Sequence, residues 1–462
     1  MTSHLIRDKS FYKSLFAIAI PIVLQNIISV GVSIMDTVMV GTLGEIQLSA
    51  SSLATNYVEI SHILHLGIAA GGCILIAQYW GAGDIPSIRK VVALMFRICL
   101  ICGCVLMAFA IAIPEQIMRL YTTDEEVIAS GVIYLRWILP VFILHGFSIV
   151  MTFSLRSMRK VKVPFYAAFV TFFVNIFFNW MFIFGHLGAP RMGIAGAALG
   201  TTLSRVAECL AIGVCYFHKS NHIKIRIRDL FMKCSEKLGV FLKFGIPVIV
   251  SDLLLTVGNN IVSIIMGHIG TIFVAAYAIV APAMRLVSIA AMGLAQAAAT
   301  LTGNAVGGQT RKDAYDCGFT CFILSIAIGL LSGLFLLVFD ELLISFYSVL
   351  PETRAIATEL MDALALISVF QAVGVVLTKG VLRGGGDSKF VLVFDTAFLW
   401  LTSVPFGYLC GIVLKAPVFI TFIALRIDNV FKAFACGIRL KNGKWIKRVD
   451  IMNKMEEEEC LQ

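Results

Sequence analysis

The sequence predicts an all-α membrane protein of twelve transmembrane helices in two six-helix lobes, related by a parallel repeat. Three observations carry this. The 462 residues are 59% hydrophobic and only 14% charged, with mean hydropathy +0.91, whereas a soluble domain carries about 25% charged residues. Apolar runs of about 20 residues, the length that crosses a bilayer, recur along the chain. The second half also repeats glycines and prolines of the first.

The apolar windows fall at 14–36, 52–79, 92–113, 131–154, 164–185, 193–217, 241–266, 274–303, 316–338, 359–382, 390–414 and 417–438. The first is read as a retained span rather than a signal peptide, because it runs well past the roughly 7–15 apolar residues of a leader. An even count puts both termini on one side. Lys and Arg choose that side: the outer loops hold only Arg119, Arg191, Arg354 and Lys415, so both termini are expected in the cytoplasm. The net charge of +9 is thus spent on orientation. No sustained basic face or stacking motif points to nucleic acid. The twelve cysteines, "CLICGC" (Cys99–Cys104) included, sit mostly in apolar runs and read as small buried hydrophobes rather than redox or zinc groups.

A shift of 226 lays Pro21 on Pro247, Gly41 on Gly267, Gly44 on Gly270, Gly67 on Gly293 and Gly81 on Gly307. Six helices per half is an even number, so the halves insert in parallel. The expected organisation is an N-lobe at 1–217, a basic cytoplasmic linker at 218–240, a C-lobe at 241–440 and a cytoplasmic tail at 441–462. Two lobes facing across a cleft suit alternating access.

Polar residues inside spans mark the candidate site. Gln25, Ser29, Ser33 and Asp36 form one stripe of span 1 at helical spacing. Asp252, Thr256, Asn259 and Ser263 form another on span 7, and Thr171, Asn175 and Asn179 a third on span 5. Asp395 stands alone in span 11. An intramembrane carboxylate is costly and takes a proton, Na⁺ or an organic cation readily; the plainer reading is a hydrogen bond to a neighbouring helix. Asn56, Glu59 and His62 share a face of span 2, with His65 a turn on, but no second Glu-x-x-His pair supports a metal site. Asp428 and Lys432 are spaced for a structural ion pair. Arg97, Arg136, Arg205, Arg285 and Lys379 read as snorkelling or cleft-facing cations. Gly196 and Gly200 make a G-x-x-x-G packing motif. "RGGGDSK" (Arg383–Lys389) lacks phosphate-loop spacing and is a turn. No nucleotide-hydrolysing motif is present, so any pumping must draw on an ion gradient.

These residues resemble the multidrug and toxic compound extrusion (MATE) family. The matching pieces are "MDTVMVGTLG", "AQYWGAGD", "LRSMRKVKVP", "NIFFNWMFIFG" and "MGIAGAALGTTLSR" in the first half. In the second they are "FGIP", "MGHIGT", "GLAQAAATLTGNAVG", "LRGGGDSKF" and "KNGKWIKRV". The resemblance implies the MATE fold and export of cationic drugs in exchange for Na⁺ or H⁺, with no other cofactor. By position, Asp36 resembles the family's span 1 acid, and Asn175, Asn179 and Thr201 its polar partners. Many members carry Asp where this chain has Asn179, so this site has one carboxylate fewer. Leu255 stands where some members place a Glu; Asp252 and Asp395 resemble another branch and are expected to serve cation coupling or substrate charge recognition in the C-lobe.

The expectation is therefore an inner-membrane, monomeric antiporter for amphipathic organic cations, in contact with the lipid bilayer. Gln25, Ser29, Ser33, Thr256, Asn259, Phe177 and Trp180 are expected to line the substrate cleft. A flippase for a lipid-linked saccharide is the alternative, favoured by a cleft lined with Arg and Lys. A membrane receptor or enzyme would need a soluble signalling domain or a convergent catalytic set, and neither is seen, so no catalytic or metal-binding residue is assigned.

Overall fold

In the computed structural model, residues 4–217, 227–308, 310–347 and 350–449 are described. Parts of the expected linker and tail, residues 218–226 and 450–462, lie outside them. Among the described residues there are helices and no strand. In chain order the helices are α1 (Lys9–Gly41), α2 (Glu45–Ala82), α3 (Ile85–Ala112), α4 (Pro114–Arg119), α5 (Glu125–Ile138), α6 (Val141–Ser157), α7 (Lys162–Phe184) and α8 (Ile194–Phe217). The second half follows with α9 (Leu238–Ile269), α10 (Thr271–Gly308), α11 (Arg311–Ser345), α12 (Pro351–Val375), α13 (Ser388–Phe398), α14 (Val404–Tyr408), α15 (Val418–Leu425) and α16 (Asp428–Lys441).

Among the described residues, ten helical segments are long and apolar enough to cross a membrane, and the pair α5 and α6, bent by 50°, makes an eleventh. That bend falls at Leu139–Pro140, where proline removes an N–H and crowds the preceding turn. The twelfth expected window, 417–438, divides into α15 and α16 at Arg426 and Ile427. Neither piece alone spans a bilayer. Many large apolar side chains point outward: Leu331 is 67% exposed and Leu334 58%, which suits lipid rather than water as their surroundings. The chain is thus a multi-pass membrane protein.

Helix ends follow local chemistry. Asp84 accepts from Ser87 N at 3.0 Å to start α3, and Thr310 and Asp313 close a capping box on α11. Gly44 and Gly270, paired by the 226-residue repeat, each turn the chain between two spans with positive φ (114° and 154°), which a side chain would oppose.

The helices gather into two compact units. One comprises the chain through Val23, Ala77–Gly83 and everything from Ile246; the other comprises Leu24–Ile76 and Asp84–Gly245. The chain passes between units inside α1, just beyond Pro21, and inside α9, just before Pro247. In the first unit, Gly293 of α10 gives room to Ala19 and Val23 of α1. Gly81 and Gly307, also repeat partners, each lie against the backbone of the other's helix. The segment after α16 closes over this unit: Trp445 is fully buried beside Gly318 and Gly385, and Gln78 accepts from Val449 N at 3.1 Å. Asp387 is also fully buried, held by Arg439 and Lys447 at 2.7 and 2.5 Å. In the second unit, Met39, Tyr57, Leu135, Phe142 and Ile183 belong to the core.

Candidate functional site

Within the unit holding Leu24–Ile76 and Asp84–Gly245, three helices build a small polar cluster. Asn175 and Asn179 stand one turn apart on α7, both fully buried, so their amides share a face. Asn179 Nδ2 donates to Asp36 Oδ1 of α1 at 2.5 Å and to Asn175 Oδ1 at 3.3 Å. The third residue of the α7 stripe, Thr171, returns its hydroxyl to Ala167 O at 2.8 Å and takes no part. On α8, Gly196 lies against the Phe182 backbone, and a Cβ at Gly200 would collide with Asn179 Oδ1. The G-x-x-x-G motif therefore does more than pack α8 on α7: it makes room for the amide that holds Asp36. Thr201, next along α8, lies near the Tyr134 hydroxyl, as does Thr55.

Asp36 is half-buried and has no basic residue within ion-pair distance among the described residues. Arg205, one turn beyond Thr201, lies within its electrostatic reach but is bonded to Glu208 at 2.7 Å. Asn179 Oδ1 and Asn175 Nδ2 are buried without a hydrogen-bond partner, and buried polar atoms rarely stay so. The cluster thus offers a carboxylate and amide oxygens in one place, a donor set of hard oxygens suited to a small cation.

The rest of the span 1 stripe does different work. Gln25 is buried and accepts from Arg156 Nη2 at 2.6 Å. Ser29 bonds its own helix at Gln25 O, and Ser33 is exposed. Phe177 sits two residues from Asn175, roughly 200° around α7, so it points away from the amide face. Trp180 stacks on His186 with ring centroids 4.4 Å apart. The span 2 residues instead form a histidine group: His65 Nδ1 lies 3.5 Å from His145 Nδ1, and His62 bonds Glu59 at 3.2 Å.

The other unit treats its acids differently. Asp252 receives both terminal nitrogens of Arg383, at 2.8 and 3.2 Å, with Lys379 at 3.9 Å. A π-helical turn, Val376–Leu382, carries Lys379 and delivers Arg383 at its end; such turns recur at functional positions. Asp395 lies 2.8 Å from Lys432 Nζ, which also reaches Asp428 at 2.8 Å, the ion pair expected from spacing. Ser403 donates to Asp428 at 2.7 Å. Asp252 and Asp395 are therefore not open carboxylates. With Asp428 they face Lys379, Arg383 and Lys432, and the charges balance. Sequence reasoning missed Arg383, which it read as part of a turn; its place four residues after Lys379 was the available signal. Thr256 bonds Asp252 O, and Asn259 accepts from Arg426 at 3.2 Å.

A larger side chain at Gly200 is expected to push Asn179 off Asp36. Gly200→Val should leave a folded protein whose cation-dependent activity falls about tenfold or more, the loss of one charge-assisted hydrogen bond; Gly213→Val, on the same helix with nothing within 4 Å of its Cβ position, should not. Ion-driven uptake by reconstituted protein measures both.

Comparison with known proteins bears on both halves. A family model described as MatE matches residues 21–181 and again 247–409, the offset found between Pro21 and Pro247. The probable multidrug resistance protein NorM of Mesorhizobium japonicum is 25% identical over 86% of each chain. Multidrug resistance protein MdtK of Yersinia enterocolitica is 24% identical over 87% of this chain and 88% of its own. Among solved structures, the outward-facing conformation of a multidrug resistance MATE family transporter of the MOP superfamily superposes with TM-score 0.84 at 21% identity, covering 94% of this chain and 96% of that one.

Proposed function

Because the chain belongs to the MatE family, with both halves matched, we propose that it is a cation-coupled antiporter exporting amphipathic organic cations by alternating access. Its place is the cytoplasmic membrane, with both termini inside, as the Lys and Arg distribution favours. The observation that carries this reading is the Asp36 carboxylate, held by the Asn179 amide with no basic group in ion-pair contact among the described residues. One carboxylate binds one monovalent charge at a time. An organic cation arriving from inside and H⁺ or Na⁺ arriving from outside then compete for it, and exchange couples the two flows. Asn175, Asn179 and Thr201 supply the neutral oxygens around it. Asp252 and Asp395, each with a basic partner, set the charge of their own unit.

The test is efflux of ethidium from proteoliposomes under separately imposed Na⁺ and H⁺ gradients. One gradient should accelerate efflux several-fold over the dissipated state. Efflux indifferent to both overturns the coupling.

A further inference from the structure

The charge-balanced cluster of Asp252, Asp395 and Asp428 with Lys379, Arg383 and Lys432 leaves one nearby cation out. Arg426 stands at the break between α15 and α16, roughly two and a half turns past Pro417. Its Nη1 donates to Asn259 Oδ1 of α9 and its Nη2 to the Tyr277 hydroxyl of α10, both at 3.2 Å. Both acceptors are neutral. Its Nε is buried without a partner. The acid closest in sequence, Asp428, is taken by Ser403 and Lys432. Among the described residues no carboxylate reaches Arg426. The Asn259 end of the site is exposed.

An arginine keeps its charge in a membrane, and an uncompensated charge within a span marks a pathway or ligand site. Discontinuous helices are where transporters place such sites. Here the break turns a guanidinium toward two neutral side chains that fix its plane and leave donors over. One half carries an open carboxylate at Asp36; the other carries, at the break between α15 and α16, an open guanidinium.

From this geometry we infer that Arg426, with Asn259 and Tyr277, is a binding site for the carboxylate of an exported molecule, so that substrates bearing an acid group beside their cationic centre are preferred over their esters. The guanidinium fork matches a carboxylate's two oxygens. The inference rests on the reading that the chain exports small organic molecules and narrows which ones.

The test uses two dyes that differ in one group: tetramethylrhodamine as the free acid and as its methyl ester. Binding to purified full-length protein is read by fluorescence polarisation, and efflux in proteoliposomes. Wild type should bind the acid about tenfold tighter than the ester, the worth of a charge-assisted pair. Arg426→Gln should erase that preference while ester affinity stays within about twofold. Arg426→Lys, which keeps the charge and loses the fork, should retain part of the preference and guards against a variant that unfolds. A wild type that treats acid and ester alike overturns the assignment, as does Arg426→Gln with the wild-type ratio. So does an effect of Arg426→Gln that appears only with anionic lipid in the vesicles, which would give the site to a headgroup. Efflux of either dye that remains ion-driven in any of these cases leaves the antiport reading standing; absence of efflux of both dyes from wild type removes both.

Discussion

Asp36→Asn is expected to reduce gradient-driven efflux by about a hundredfold or more, because the substitution removes the carboxylate that the Asn175–Asn179 cluster holds without an ion-pair partner. An amide of the same shape still meets Asn179 but holds neither a proton nor an organic cation by charge. An ion pair in a partly buried site is worth several kcal/mol, and about 1.4 kcal/mol is a factor of ten. The variant should fold at least as well as the wild type, since a half-buried carboxylate with only an amide partner gives way to a neutral group. Asp36→Glu, with the charge displaced by one methylene, should keep a fraction of the rate. Asn179→Ala should lose about tenfold, the cost of one charge-assisted hydrogen bond. The measurements are initial efflux rates after an ion pulse and thermal unfolding in detergent. Wild-type rates in Asp36→Asn, with normal ion dependence, would move the coupling elsewhere.

Much of this was legible before any coordinates. Apolar length marked the spans, because a bilayer demands it of any helix that crosses. The Gly44 and Gly270 turns announced the repeat, since positive φ restricts the residue and repeats preserve such restrictions. Asn175 and Asn179 could be placed beside each other by helical spacing, and the Asp428–Lys432 pair likewise. What spacing cannot show is which helix a side chain meets. Asp252 looked as open as Asp36 until Arg383 arrived from a π-helical turn 131 residues away. Phe177, two residues from Asn175, lies on the opposite side of the helix from the amide pair, which helical arithmetic also shows. The division of α1 and α9 between compact units was hidden for another reason. A run such as "SLFAIAIPIVL" is uniformly apolar, so it carries no stripe to say which neighbour it packs on. The break at Arg426 was half visible: three charged residues in seven are too many for a continuous apolar span, yet nothing in their order says where the helix parts.

Lys432→Met is expected to be the most destabilising single change in the unit that holds it. The Lys432 ammonium lies 2.8 Å from both Asp395 and Asp428, and all three residues are buried. Removing it leaves two carboxylates facing each other with Ser403, Asn429 and Arg383 as their remaining help, and stranding buried charge costs about 3–5 kcal/mol. Against a total stability of about 5–15 kcal/mol, that should lower the unfolding temperature markedly and reduce the yield of monodisperse protein. Charge, not volume, is the proposed cause, because methionine nearly fills the lysine stem's space. The double variant Lys432→Met/Asp428→Asn tests this directly: Asp252 and Asp395 then face Lys379 and Arg383, and the balance is restored. It should recover at least half of the lost unfolding temperature, measured by tryptophan fluorescence in the same detergent. A double variant as unstable as the single would mean that packing around Lys432, rather than the alternation of charge along Asp252, Arg383, Asp395, Lys432 and Asp428, holds these helices together.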